Sequence, residues 1–237
     1  MANMPEILGI IPARGGSQGI LRKNLVPLLG KPLLAYTCEA AKRSKRLTRI
    51  ILSTDDEEIA RVGKECGIDV PFLRPKELAT DETPMLEVLR HVLRTLHDRE
   101  GYSPGVIVLL QPTSPLRGAE HIDAAVELLE ESNADTVVSV IPVPHQFLPS
   151  SLMKLENDRI VPYEQGTTIL RRQEKSALYA RNGPAILVTK SSFILEKGFY
   201  DGDVRPFLMN AESSVDIDNA ADLAYAEYLL SSRRSSS

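Results

Sequence analysis

Short apolar runs alternate along this chain with stretches whose apolar residues recur every three or four positions. Ile7, Leu8, Ile10 and Ile11 form the first run and read as a buried strand. Residues 32–42 follow at helical spacing, marked by Leu33, Leu34, Tyr36, Thr37, Ala40 and Ala41. Residues 49–53 are a second buried strand; a helix then starts at Asp55 or Asp56, runs through Lys64 and is closed by Gly67. A short strand is predicted over 70–73. A long helix is predicted over 83–99, with Pro84 at its first position, where a missing N–H costs nothing. Residues 105–110 are the most apolar strand and are expected at the centre of a sheet. A helix over 119–131 and a strand over 136–141 continue the series.

That order predicts an α/β fold, a mostly parallel twisted sheet with helices on both faces. Ligands in such folds sit at the carboxyl ends of the strands. The segments 12–24 and 111–117, and the loop near Asp81, leave such ends. The rhythm breaks over 142–181, where Pro142, Pro144, Pro149 and Pro162 intervene. The alternation around Ile160 to Tyr163, together with Phe147, favours a hairpin-like arm there. Order resumes with a strand at 185–189, a short helix after Ser191, a strand-like Val215-Asp216-Ile217-Asp218 and a helix over 219–231. One domain is expected over 1–231, with 142–181 as an inserted arm and 232–237 as a disordered tail.

A length of 237 residues suffices for one large α/β domain, and 43% hydrophobic with 25% charged residues suits a water-soluble globular protein. The net charge of −4 leaves no basic surplus for nucleic acid or anionic lipid, so any cation cluster must be local. Cys38 and Cys66 lie in predicted helices without metal-like spacing and read as reduced thiols of a cytoplasmic protein. The first ten residues lack the pattern of a signal peptide, and no apolar run is long enough to span a bilayer.

Gly15, Gly16 and Gly19 sit in the loop after the first strand, among Arg14, Arg22 and Lys23. Glycine lets backbone amides approach an anion closely, and the cations add charge beside them, a combination suited to a polyphosphate. A tight surface loop with solvated basic residues is the plainer alternative. No Gly-Lys-Ser/Thr closes the loop, so it is not a Walker A sequence, and its glycine spacing is not the dinucleotide fingerprint. Asp216 and Asp218, two apart in an extended stretch, would present two carboxylates on one side, enough to hold Mg²⁺ with its waters. Asp218 could instead cap the following helix. His91, His97, His121 and His145 are scattered, and Ser17, Ser53 and Ser114 have no evident histidine partner, so a hydrolase triad is disfavoured.

Taken together, Ile11-Pro12-Ala13-Arg14-Gly15-Gly16-Ser17, Arg22-Lys23-Asn24, Ser53-Thr54-Asp55, Leu73-Arg74-Pro75, residues 110–117, Arg181-Asn182-Gly183 and Asp216-Ile217-Asp218 resemble the cytidylyltransferases that activate acidic nine-carbon sugars, the CMP-N-acylneuraminate synthetases and their relatives. The resemblance implies a nucleotide-diphospho-sugar transferase-like, Rossmann-like domain. Its arm at 142–181 would make a homodimer in which the partner subunit completes each sugar site. It implies transfer of CMP from CTP to a sugar hydroxyl, with Mg²⁺ (or Mn²⁺) on Asp216 and Asp218. Ala13, Arg14, Gly15, Ser17, Lys23, Asn24 and Arg74 would bind the nucleotide. Gln111, Arg172, Gln173, Asn182, Phe199 and Tyr200 would meet the acidic sugar, and Arg14, Lys23, Asp216 and Asp218 would carry the chemistry. Two positions depart from the family pattern: Gln18 replaces the usual lysine, and Pro184-Ala185-Ile186-Leu187 replaces Ala-Ile-Tyr. Arg22 could compensate for the first. An enzyme for an eight-carbon keto-deoxy sugar, and a nucleotide-binding module without chemistry, are the alternatives.

Overall fold

The computed structural model describes residues 6–17, 19–163 and 177–235. A seven-stranded sheet forms its centre. In chain order the strands are β1 (Ile7–Pro12), β4 (Arg49–Ser53), β5 (Val106–Leu109), β6 (Thr136–Pro142), β9 (Tyr179–Arg181), β10 (Leu187–Lys190) and β11 (Val204–Leu208). Across the sheet they run β11-β6-β10-β5-β1-β4. β1 pairs in parallel with β4 and β5, and β11 pairs in parallel with β6. β10 runs antiparallel between β5 and β6, and β9 continues the same side of β6 from Val140 to Pro142. The sheet is therefore mixed but mostly parallel.

Strand alternation divides the core between the two faces. Ile7, Ile11, Val106 and Val108 pack with α1 (Leu33–Arg43), α2 (Glu57–Glu65) and α4 (Ala119–Ser132). Leu8, Ile10, Ile107 and Leu109 face α3 (Met85–Glu100) and α5 (Ser191–Glu196) on the other side. Between β1 and α1 a small hairpin joins β2 (Pro27–Leu28) to β3 (Lys31–Pro32). Its turn takes Leu29 and Gly30 into the left-handed region, φ 47° and 80°, which only the glycine accepts without strain. α6 (Ala220–Ser235) docks across the sheet's carboxyl end, where Ile217, Ala226 and Leu229 meet Leu28, Leu33 and Leu116.

Several expectations change. Residues 70–73 form no strand; Asp69 makes a lone bridge to Ile51, while Phe72 is held in the core by its ring. Pro84 is the N-cap of α3, with extended ψ of 136°, so the helix begins one residue later than expected. β11 was not legible: Arg205, Pro206 and Leu208 are exposed at a sheet edge and break the apolar pattern. The ends of the expected arm belong to the sheet as β6 and β9, leaving a hairpin of β7 (Met153–Glu156) and β8 (Arg159–Pro162) beyond it. Residues 215–218 join no sheet, though Ile217 is fully buried and Asp218 exposed. Asn219, not Asp218, caps α6: its Oδ1 accepts from the Ala221 and Asp222 amides at 2.8 and 3.2 Å. That helix continues past Ser231 through most of the expected tail, and Arg233 donates to the Leu116 carbonyl.

Arg117 fixes the loop after β5. Its guanidinium is wholly buried and donates to the Ala185 carbonyl (2.9 Å), the Thr37 hydroxyl (2.8 Å) and the Gln111 carbonyl (3.4 Å). Burial lowers its pKa to about 10, so it stays protonated at neutral pH. Arg117→Leu would keep the volume but orphan those acceptors, and should lower unfolding stability by about 3 kcal/mol in urea titration. A loss below about 1 kcal/mol would show that the loop is held by packing instead.

Candidate functional site

The segments following β1, β4 and β5 converge at the carboxyl end of the sheet, and residues 215–218 close the convergence from the carboxy-terminal side. Asn24 is buried and donates its Nδ2 to the Arg14 carbonyl at 2.9 Å, fixing the turn of the first loop. Arg14 itself pairs with Asp81. Arg22 takes a left-handed conformation, φ 52°, and opens the one-turn 3-10 helix Lys23–Leu25. Lys23 reaches across the molecule, donating Nζ to the Ile217 carbonyl and to Asp218 Oδ1, both at 2.8 Å. Gly19 makes the same approach through its backbone: a Cβ there would collide with the Asp218 carbonyl oxygen. The two regions expected to share one ligand are thus in contact.

A cleft of about 210 Å³ is lined by Arg14, Ser17, Lys23, Asn24, Arg74 and Gln111, with Pro12, Met85, Pro112 and Thr113 completing the wall. Six expected ligand-binding residues are therefore gathered in one place. Arg74 is the most unusual. Only 5% of it is exposed, and its Nε and Nη2 have no hydrogen-bond partner. Burial lowers its pKa, Asp55 opposes that shift and Arg14 adds to it. A buried guanidinium with unpartnered N–H groups is costly to keep, which points to an anionic or carbonyl-bearing ligand. A larger groove of about 660 Å³ runs along α2, but Glu57, Arg61, Lys64 and Glu65 give it no single sign of charge.

The acidic pair is asymmetric. Asp216 is mostly buried, its Oδ1 has no hydrogen-bond partner, and it lies against the backbone of Gly183. Burial pushes its carboxyl above the ordinary range; Asp218 and Asp222 push the same way, while Thr113 and Lys23 oppose them. Asp218 is exposed and holds Lys23. An orphaned buried oxygen beside an accessible carboxylate fits a hard divalent cation. Among the described residues no third His, Cys, Asp or Glu joins them, so such an ion would keep water or ligand oxygens.

Other expected residues stand differently. Ala13 is buried and its amide donates to the Ser53 carbonyl, while the Gly15 amide donates to Asp55 Oδ1. Two loop amides are thus committed within the protein, and the side-chain cations carry more of the anion site than expected. Arg22 is turned away, bonded to Asp56 and Glu58 at the start of α2, and so is not a substitute cation for the cleft. Asn182 is buried in a closed network, accepting from Ser139 at 2.5 Å and donating to Ser214 at 2.8 Å, so its amide serves the fold rather than a ligand. Phe199 packs on the α3 face of the core, edge-on to Tyr200, whose hydroxyl accepts from Arg181 at 2.8 Å. Neither ring lines the cleft. Gln18, Arg172 and Gln173 lie outside the described residues. Sequence reasoning missed Asp81, Met85 and Thr113; Asp81 and Thr113 stood in loops expected at strand ends, and Met85 in the first turn of a predicted helix.

No helix among the described residues is long and apolar enough to cross a membrane. The cytidylyltransferase family profile matches residues 8–233. The chain is 35% identical over 227 residues to the CMP-N,N'-diacetyllegionaminic acid synthase of Legionella pneumophila, covering 95% of this chain and 96% of that protein. It is 34% identical over 222 residues to the N-acylneuraminate cytidylyltransferase of Escherichia coli O18:K1:H7, covering 93% of this chain. It spans only 51% of the length of that relative. The structure of a CMP:2-keto-3-deoxy-manno-octonic acid synthetase complexed with CTP superposes with a TM-score of 0.71 at 16% identity, over 96% of this chain and 99% of that one. That likeness establishes the shared fold. With a profile match along nearly its whole length and relatives named for acidic nine-carbon sugars, the chain belongs to the cytidylyltransferase family.

Proposed function

We infer that this protein transfers CMP from CTP to the anomeric hydroxyl of an acidic nine-carbon sugar, releasing pyrophosphate. The observation that carries the reading is the gathering of Arg14, Lys23 and Arg74 in one cleft directly beside the Asp216–Asp218 pair. The difficulty of this reaction is electrostatic: an anionic sugar must approach a polyanionic nucleotide. Arg14 and Lys23 offset that repulsion and stabilise the charge that grows on the phosphorus oxygens and the departing pyrophosphate. The sugar hydroxyl attacks the α-phosphorus, and the bond from that phosphorus to the oxygen bridging the β-phosphate breaks. Asp216 and Asp218 would hold Mg²⁺, which when bound neutralises phosphate charge and eases deprotonation of the hydroxyl. Gln111, whose Nε2 donates to the Gly183 carbonyl at 3.3 Å, stands where the acceptor would enter.

Exposed Phe147, Leu155, Ile160 and Tyr163 on the 142–163 excursion support a homodimer in which these side chains are covered. Cys38 and Cys66 support a cytoplasmic setting, since both are free and burial raises each thiol's pKa, leaving them weak nucleophiles.

Asp216→Asn should abolish most turnover, at least about a hundredfold, as expected for a lost metal ligand. It should leave the thermal midpoint level or higher, because the amide carries no desolvated charge. Pyrophosphate release at the wild-type rate would overturn the metal role. Arg14→Ala should weaken CTP binding in calorimetry by about tenfold, as loss of a charged hydrogen-bonding group does; unchanged affinity would refute the phosphate assignment. Gly19→Ala removes no reactive group, yet its Cβ would collide with the Asp218 carbonyl. It should therefore cost activity much as Asp218→Asn does, in the same pyrophosphate assay.

A further inference from the structure

Arg14 is the cleft cation nearest the start of the glycine loop, and its guanidinium is paired with the carboxylate of Asp81. Asp81 belongs to no strand or helix. It sits in the exposed bend between the one-turn 3-10 helix Lys76–Leu78 and the start of α3 at Met85, whose side chain lines the same cleft. The bend is tied to itself: the Thr80 and Thr83 hydroxyls lie 2.8 Å apart, and Thr83 donates to the Glu77 carbonyl. Asp81 is thus presented to Arg14 by a small preformed turn. A guanidinium offers one planar fork, and a carboxylate and a phosphate compete for that same fork.

Resting on the nucleotide-binding reading above, we propose that Asp81 is a displaceable counter-anion that sets the affinity of the cleft for triphosphate. A nucleotide phosphate takes the Arg14 fork by exchange with Asp81, so each binding event is weakened by the strength of that ion pair. Lys23 has a parallel arrangement with Asp218, but Asp218 is also proposed to hold the metal, so its charge serves twice. Asp81 has no such second duty in the chemistry. It acts through Arg14 and is a positioning residue. Both partners are substantially exposed, at 31% and 46% of their side-chain surfaces, so the pair is the easily broken kind.

The measurement is CTP affinity and steady-state kinetics for the wild type, Asp81→Asn and Asp81→Ala, at low and high salt. Both variants should bind CTP more tightly and show a lower KM by about twofold to fivefold, the range that breaking one exposed ion pair covers. Their kcat should stay near the wild-type value, and the advantage should shrink at high salt as the wild-type pair is screened. CMP, which lacks the β- and γ-phosphates, should gain less than CTP. Weaker CTP binding in both variants would show that Asp81 contacts the nucleotide directly, and unchanged binding would show that the pair is incidental; either overturns the proposal. Thermal midpoints of both variants guard against misfolding. A wild type that fails to bind CTP would refute the underlying reading, an outcome distinct from failure of the exchange itself.

Discussion

Lys23 joins the first loop of this protein to its last. Its ammonium lies between the carbonyl of Ile217 and the carboxylate of Asp218, partners 194 and 195 positions along the chain. No local preference could hold so distant a contact; it exists because the sheet and α6 are already in place. Ile217 is buried against Leu28, Leu33 and Leu116, its amide donates to the Thr113 carbonyl at 2.8 Å, and Arg233 secures the far end of α6 to Leu116. The glycine loop and the Asp216–Asp218 pair are therefore one assembly. A disturbance of either end is felt at the other, as the close fit of Gly19 against Asp218 makes plain.

Burial separates the charges that build the protein from those that use it. Arg117 is entirely enclosed, and both of its terminal nitrogens meet carbonyl or hydroxyl oxygens while its Nε has no partner, so its charge is spread over a loop that it fixes. Arg74 and Asp216 are also largely enclosed, but Arg74 leaves a terminal nitrogen as well as its Nε without a partner, and Asp216 leaves one carboxylate oxygen without one. Their pKa values shift in opposite directions for the same reason, the loss of water around a charge. A fold tolerates such groups where a ligand of opposite character will meet them. One cationic and one anionic orphan beside a single cleft suit a nucleotide phosphate and a metal ion respectively.

β1, β4, β5, β6 and α1 through α4 were legible because each is regularly patterned and buried on the expected face, whereas the two-residue strands β2 and β3 carry too short a pattern to read. β1 and β4 carry the stated runs, and α1 through α4 begin and end within a residue or two of their signals. The stretch at 70–73 misled because Val70 and Phe72 are apolar for packing while their backbone pairs with nothing regular. β11 failed in the opposite way, being a true strand with a polar, proline-containing edge. The antiparallel course of β10 carries no sequence mark at all, since buried parallel and antiparallel strands share one apolar pattern. At the site, the cations and carboxylates were legible from residue type and spacing. Which of them pair with each other was not, because Arg22 and Arg14 look alike in sequence and differ only in the acid each one meets.

The two halves of the site rest on different foundations. The cleft grows directly from strand ends: Arg14 follows β1, Arg74 is held by its amide to Thr54 after β4, and Gln111 follows β5. These positions cannot drift without disturbing the core. The surroundings of β10 differ. There Ile186 and Leu187 are fully buried, and Asn182 is locked to Ser139 and Ser214. What faces outward nearby is Arg181 stacked on Tyr200, 5.0 Å from guanidinium to ring. Such a pair is held by one hydrogen bond and one ring face, so exchanging it costs the fold little. The cleft side chains at the strand ends are therefore fixed by the core, whereas this exposed pair can be exchanged without disturbing them.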